Sequence, residues 1–177
     1  MIFTTYTGKR IEDMIHPRPS DVCLEDIARH LSKEQRFGGA IHQNFYSVAQ
    51  HSVLVSQLVR PENALLGLLH DSAEAYIKDI PTPLKHGLGD AYKSLETRWL
   101  YAISQALGID DALTRMPVDI KIADSIALAT EFRDLFFDGR GSDCSSEPHP
   151  DNILGLAPRS AYKIFMARWR ELTGLAR

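Results

Sequence analysis

Apolar residues recur at spacings of three and four along most of this chain, and the elements they predict are helices. Leu24, Ile27, Ala28 and Leu31 mark one over roughly 24–32, with Ser20 or Asp21 placed to cap it and Gly38-Gly39 to end the segment. Ser47 and Gln50 have capping-box spacing and open a second helix to about Val59, whose apolar side holds Val48, Val55, Leu58, Val59 and also His51. Pro61 suits the first turn of a third, carried by Leu65, Leu68, Leu69 and Ser72 to about Tyr76, after which Pro81 and Pro83 mark a rigid connector. Tyr92, Leu95, Trp99 and Ile103 form one stripe of a fourth, from about Asp90 to Leu107, which Gly108 stops. After Pro117, the positions Ile120, Ala123, Ala127, Leu128 and Leu135 predict a fifth to about Phe137, followed by a mobile polar loop from Asp138 to Pro150. A sixth, from about Arg159 to Leu172, buries Tyr162, Phe165 and Trp169. Residues 2–10, with Thr, Tyr and Phe around Gly8, predict a short extended segment or hairpin. The pattern is that of an all-α bundle of about six helices, one domain over 1–177.

Composition limits the functions such a bundle can have. Hydrophobic residues at 44% and charged residues at 24% over 177 positions suit a single globular domain and exclude a largely disordered or fibrous chain. Twenty Lys and Arg against 23 Asp and Glu leave a formal charge of −3, so no global cationic field exists to hold a long nucleic acid. A small phosphorylated ligand needs only a few local cations. The apolar runs fall short of the ~20 residues that cross a bilayer, and the first residues lack a secretory signal, so we expect a cytoplasmic protein with no membrane partner. Cys23 and Cys144 form no C-x-x-C pair and are read as reduced thiols.

The strongest chemical signal is Leu65-Leu66-Gly67-Leu68-Leu69-His70-Asp71-Ser72-Ala73-Glu74, an apolar helix that turns abruptly into an imidazole and two carboxylates. A carboxylate taken into low dielectric without a partner costs several kcal/mol or more, so Asp71 needs a cation, a hydrogen-bond network or water. His51 and Asp124 are likewise polar residues inside apolar stripes. Each has an ordinary structural reading alone, His51 as a hydrogen-bonded core residue and Asp124 as the partner of an Arg such as Arg133. Taken together, they allow three helices to converge on one point. Two imidazoles and two carboxylates suit a single divalent ion, Mn, Co, Zn, Fe, Ni or Mg, with open positions for water and a phosphoryl oxygen.

Ser47-Val48-Ala49-Gln50-His51-Ser52, Leu69-His70-Asp71-Ser72-Ala73-Glu74, Lys78-Asp79-Ile80-Pro81-Thr82-Pro83-Leu84-Lys85 and Ala123-Asp124 resemble, in order and spacing, the HD-domain phosphohydrolases. The match spans about residues 30 to 135. Within that superfamily the long motif looks closest to the YfbR-like 5'-deoxynucleotidases and the phage deoxynucleoside triphosphate phosphohydrolases.

The resemblance implies an HD-domain helical bundle and a metal-dependent nucleotide phosphohydrolase in which His51, His70, Asp71 and Asp124 hold the metal. Glu74 shares the face of the His-Asp pair and is the candidate acceptor of a proton from water, although an exposed helix carboxylate would look the same in sequence. Asp79 matches the family's second acidic position and is a candidate to protonate the leaving oxygen or orient water. Arg36 and Phe37 match an Arg followed by an aromatic, suited to phosphate contact and to packing on base or sugar. Lys85 and Lys121 are further phosphate candidates. The expected substrate is a small nucleotide, and we expect a homo-oligomer. A cyclic-nucleotide or alarmone phosphodiesterase, and a catalytically silent nucleotide-binding module, are the competing readings.

Overall fold

The structure is a computed structural model that describes residues 2–109, 111–137 and 144–174. The expected loop therefore falls outside the described residues at 138–143. Strand β1 (Phe3–Thr4) pairs antiparallel with β2 (Arg10–Ile11), Phe3 facing Ile11, and Gly8 turns the chain between them at φ +86°. This hairpin is fastened to the first helix, α1 (Leu24–Leu31), because Thr7 donates its N–H and hydroxyl to the Asp26 carboxylate at 2.7 and 2.8 Å. The cap of α1 is Cys23, without a side-chain bond, and neither Ser20 nor Asp21 fills that role. Asp21 turns back instead on Arg18, whose backbone N–H and guanidinium it accepts at 2.9 and 3.0 Å, a charged partner that outcompetes neutral helix amides.

Helix α2 (Val48–Leu58) begins as expected, the Ser47 hydroxyl accepting the Gln50 N–H. The Gln50 side chain does not complete the capping box; it donates to Leu154 O at 2.7 Å and accepts Leu156 N–H at 2.9 Å, which ties the returning chain to α2. Against α2 lies α3 (Ala64–Leu69), so close at Gly67 that an added Cβ would stand 3.2 Å from Ser56 Cα. The third expected helix is not continuous. It tightens over His70–Ala73, where Ser72, Glu74 and Tyr76 donate three residues back, and resumes as α4 (Glu74–Ile77). Apolar periodicity continues through the break in the buried Ala73, Ala75 and Tyr76, so the sequence pattern conceals it.

Pro81 and Pro83 start a helix, α5 (Thr82–Leu88), rather than forming a mere connector, since a first-turn proline sacrifices no helical hydrogen bond. None of its residues is buried. These two departures raise the number of helical segments above the six expected. Helix α6 (Asp90–Leu107) ends at Gly108, left-handed at φ +69° as expected, and carries Trp99, which stacks on Tyr76 with centroids 4.1 Å apart. α7 (Val118–Leu135) and α8 (Pro158–Thr173) complete a mostly helical, all-α architecture in which α2 packs on α3, α7 and α8. The main core contains Ile27, Leu31, Leu68, Leu69, Trp99 and Phe165. A second apolar cluster, Val55, Val59, Ala64, Ile120, Ala123 and Ala127, seats α7 against α2 and α3 and so sets the place of Asp124. No described helix is long and apolar enough to cross a membrane.

Candidate metal centre and its cleft

His51 lies in the second turn of α2, His70 and Asp71 lie where α3 tightens, and Asp124 lies on α7. The structure brings all four together. His51 Nε2 is 3.1 Å from Asp124 Oδ1, 3.3 Å from His70 Nε2 and 3.5 Å from Asp71 Oδ2, and His70 Nε2 is 3.3 Å from Asp71 Oδ2. Donor atoms ~2.0–2.2 Å from one ion stand ~2.8–3.6 Å apart; these distances fall in that range, while His70 Nε2 to Asp124 Oδ1 is longer at 4.0 Å and Asp71 adjoins the group through its contacts to the two histidines. Among the described residues, His51, His70 and Asp124 form one group of donors within common reach of a metal.

Both rings are held so that Nε2 faces the centre. His70 Nδ1–H donates to Gly67 O at 2.8 Å, and His51 Nδ1–H donates to Glu131 Oε1 at 2.7 Å. Glu131, fully buried on α7, also accepts Arg36 Nε and Nη2 at 3.1 and 2.9 Å through Oε2. Arg36 is thus no freely exposed phosphate hook. It is a largely buried strut whose Nη1 edge approaches Asp71 Oδ2 at 3.7 Å.

The charges explain the titration of the centre. Burial and Arg36 oppose a charge on His51, but Glu131 and Asp124 outweigh them and push its pKa up to about 10. Burial disfavours the Asp71 and Asp124 carboxylates as well, yet the two histidines hold both below the usual range. Burial, followed by the neighbouring Asp71 and Asp79, pushes Glu74 up to about 8 against the pull of Lys85. Asp79 is raised, by burial first and then by Asp71. Without a metal, Asp71, Asp79, Asp124 and Glu131 are thus met by Arg36, Lys85 and a cationic His51, a share of positive charge that a divalent cation would take over.

The centre opens into a cleft of about 470 Å³, within the usual size of small-molecule sites. Arg36, Asp71, Glu74, Asp79, Lys85 and Asp124 line its polar part. Glu74 is buried, not an exposed helix carboxylate; Lys85 Nζ donates to its Oε1 at 2.8 Å. Lys121 is exposed on α7 and does not line the cleft. At the other side Phe37 meets Phe132 and Phe136 at centroid distances of 5.5 and 5.1 Å, with Leu128 beside them. Phe37 is left-handed at φ +58°, a conformation that costs a non-glycine residue about 1 kcal/mol and that aims its ring at this wall.

Sequence reasoning missed Glu131 and the Leu128, Phe132 and Phe136 side of the cleft. The signal existed: these residues on and just past α7 fall at intervals of three to four after Asp124, and Glu131 lies seven residues, about two turns, beyond Asp124 on the same face.

No family model matches the chain. It is 32% identical over 165 residues to the uncharacterized protein RCAP_rcc00048 of Rhodobacter capsulatus, covering 86% of this chain and 83% of that one. With the uncharacterized protein YfdR of Escherichia coli the identity is 42% over 176 residues, covering 97% of this chain and 95% of the relative. Agreement at that level over nearly the whole of both chains means that the protein belongs to the YfdR family.

Proposed function

We propose that the protein is a metal-dependent phosphohydrolase of the HD-domain type that acts on nucleotides, deoxynucleotides first among them. The observation that carries this reading is the convergence of His51, His70, Asp71 and Asp124 at the polar end of a cleft that also contains Glu74. A divalent ion bound by those four would supply Lewis acidity, neutralising a phosphoryl oxygen and lowering the pKa of water. Glu74, a carboxylate lining the cleft that Lys85 holds through Oε1, would accept a proton from water. Asp79, raised by burial, can carry a proton toward the leaving oxygen. Arg36 Nη1 and Lys85 offset phosphate charge, and Phe37, Phe132 and Phe136 offer aromatic faces to base or sugar.

The test is a screen of the purified protein with Mn, Co, Zn, Fe, Ni or Mg against mono-, di-, tri- and cyclic nucleotides, with phosphate and polyphosphate products resolved. Metal-dependent release from a 5'-nucleotide is expected. Nucleotide binding without turnover under every metal would replace this reading with a silent binding module, and turnover confined to cyclic substrates would replace it with a phosphodiesterase.

A further inference from the structure

Among the described residues, Glu131 is the one carboxylate at the centre that neither faces the cleft nor lies within direct reach of a shared ion, and its side chain is fully buried with both oxygens committed. Oε1 accepts His51 Nδ1–H at 2.7 Å, and Oε2 accepts two hydrogens of Arg36. An imidazole can present only one lone pair at a time, so the acceptor on Nδ1 decides which nitrogen remains bare. We infer that Glu131 is the positioning residue of the metal centre: it holds a hydrogen on His51 Nδ1, so that Nε2 is the nitrogen turned toward His70, Asp71 and Asp124 to receive an ion, and it clamps Arg36 beside Asp71. This inference rests on the proposed metal centre and adds to it a residue outside the ligand set.

Arg36 makes the role specific to a carboxylate. Its Nε and Nη2 are both donors, so whatever stands at position 131 must turn an oxygen toward them. A glutamate still has a second oxygen for His51. A glutamine has only an amide nitrogen left, which donates to Nδ1 and moves the ring hydrogen to Nε2, where it points into the centre and blocks a metal bond. Glu131→Gln changes neither volume nor shape appreciably, so a role confined to packing would survive it. The tautomer would not.

The experiment is zinc titration of the metal-stripped protein by calorimetry, for the wild type, Glu131→Gln and Glu131→Asp, with thermal unfolding of each metal-free form as control. Glu131→Gln should bind zinc about 10- to 100-fold more weakly, the range for losing a partner that orients a metal-binding histidine. Glu131→Asp, which keeps two acceptor oxygens, should recover part of that loss. Zinc-loaded wild type labelled with ¹⁵N-histidine should also show the His51 Nδ1–H as a protected, downfield proton, a measurement that needs no variant to fold. Wild-type affinity in Glu131→Gln, or a His51 ring without a hydrogen on Nδ1 in the zinc-loaded protein, overturns the positioning role alone. Absence of zinc uptake by the wild type overturns the metal centre itself, and this role with it.

Discussion

Lys85 Nζ donates to Glu74 Oε1 at 2.8 Å, while the second oxygen of the same carboxylate, Oε2, is buried without a hydrogen-bond partner among the described residues. A buried oxygen of that kind is costly to leave bare, and the residue that carries it lines the cleft with Asp71 and Asp124. Glu74 is therefore fixed at one end and unpaired at the other. Glu74→Gln should retain bound metal and lower kcat by about 10²- to 10⁴-fold, as expected for removing a general base. Metal content and kcat measured on the same preparation check this; an unchanged kcat moves the role to Asp79.

The same carboxylate makes stability depend on pH. Its folded pKa is raised to about 8 from the ordinary 4.5, by burial and by Asp71 and Asp79, so over that interval the native state binds more protons than the unfolded chain. Stability of the metal-free protein should thus fall as pH rises from about 4.5 through about 8 on this group's account. Glu74→Gln should remove that part of the slope. Thermal melts of both proteins in chelator across this range give the difference curve, and parallel curves would refute the assignment.

Asp124→Ala removes an oxygen that stands 3.1 Å from His51 Nε2. Metal uptake should fall sharply, activity should vanish with it, and the rise in Tm that a bound ion gives the wild type should be absent. Elemental analysis and melts with and without added metal provide the readout.

Gly67→Ala should destabilise the fold by about 1–3 kcal/mol, because its methyl would meet Ser56 Cα at 3.2 Å and Val59 Cγ2 at 3.1 Å, and α3 would have to move away from α2. For a chain of this size that is a Tm lower by roughly 2–4 °C per kcal/mol. Calorimetry on the metal-free protein measures it.

Phe132→Ala should raise KM for a nucleotide by about tenfold while leaving that for a simple sugar phosphate nearly unchanged, since only the former has an aromatic base to lay against Phe37 and Phe136. An equal effect on both substrates would detach the aromatic wall from base recognition.

Much of this was legible in the chain because local rules governed it. Ser47 caps α2, Gly108 stops α6 and Gly8 turns the hairpin, each through a property of one residue. The His51, His70, Asp71 and Asp124 set stood out because polar side chains interrupt apolar stripes. What stayed hidden depended on distant partners. Asp21 left the cap of α1 for Arg18, Gln50 left its capping box for Leu154 and Leu156, and Glu131 acquired meaning only when α7 brought it against His51 and Arg36. The tightening at His70–Ala73 was invisible for a different reason: an α-turn and a tighter turn keep the same side chains inward over so few residues.

The seating of α7 on α2 and α3 has a consequence for the order of folding. His51 and Asp124 are separated by everything from α3 to α6, so the centre cannot assemble from a local hairpin of helices. It exists only after the loop between them has closed, at an entropic cost that local contacts do not offset. A chain collapsed around α2 and α3 alone would already carry His51, His70 and Asp71 yet lack the oxygen that completes the set. Ion capture during refolding should therefore lag behind the gain of helical signal, and it serves as a late clock for the docking of α7.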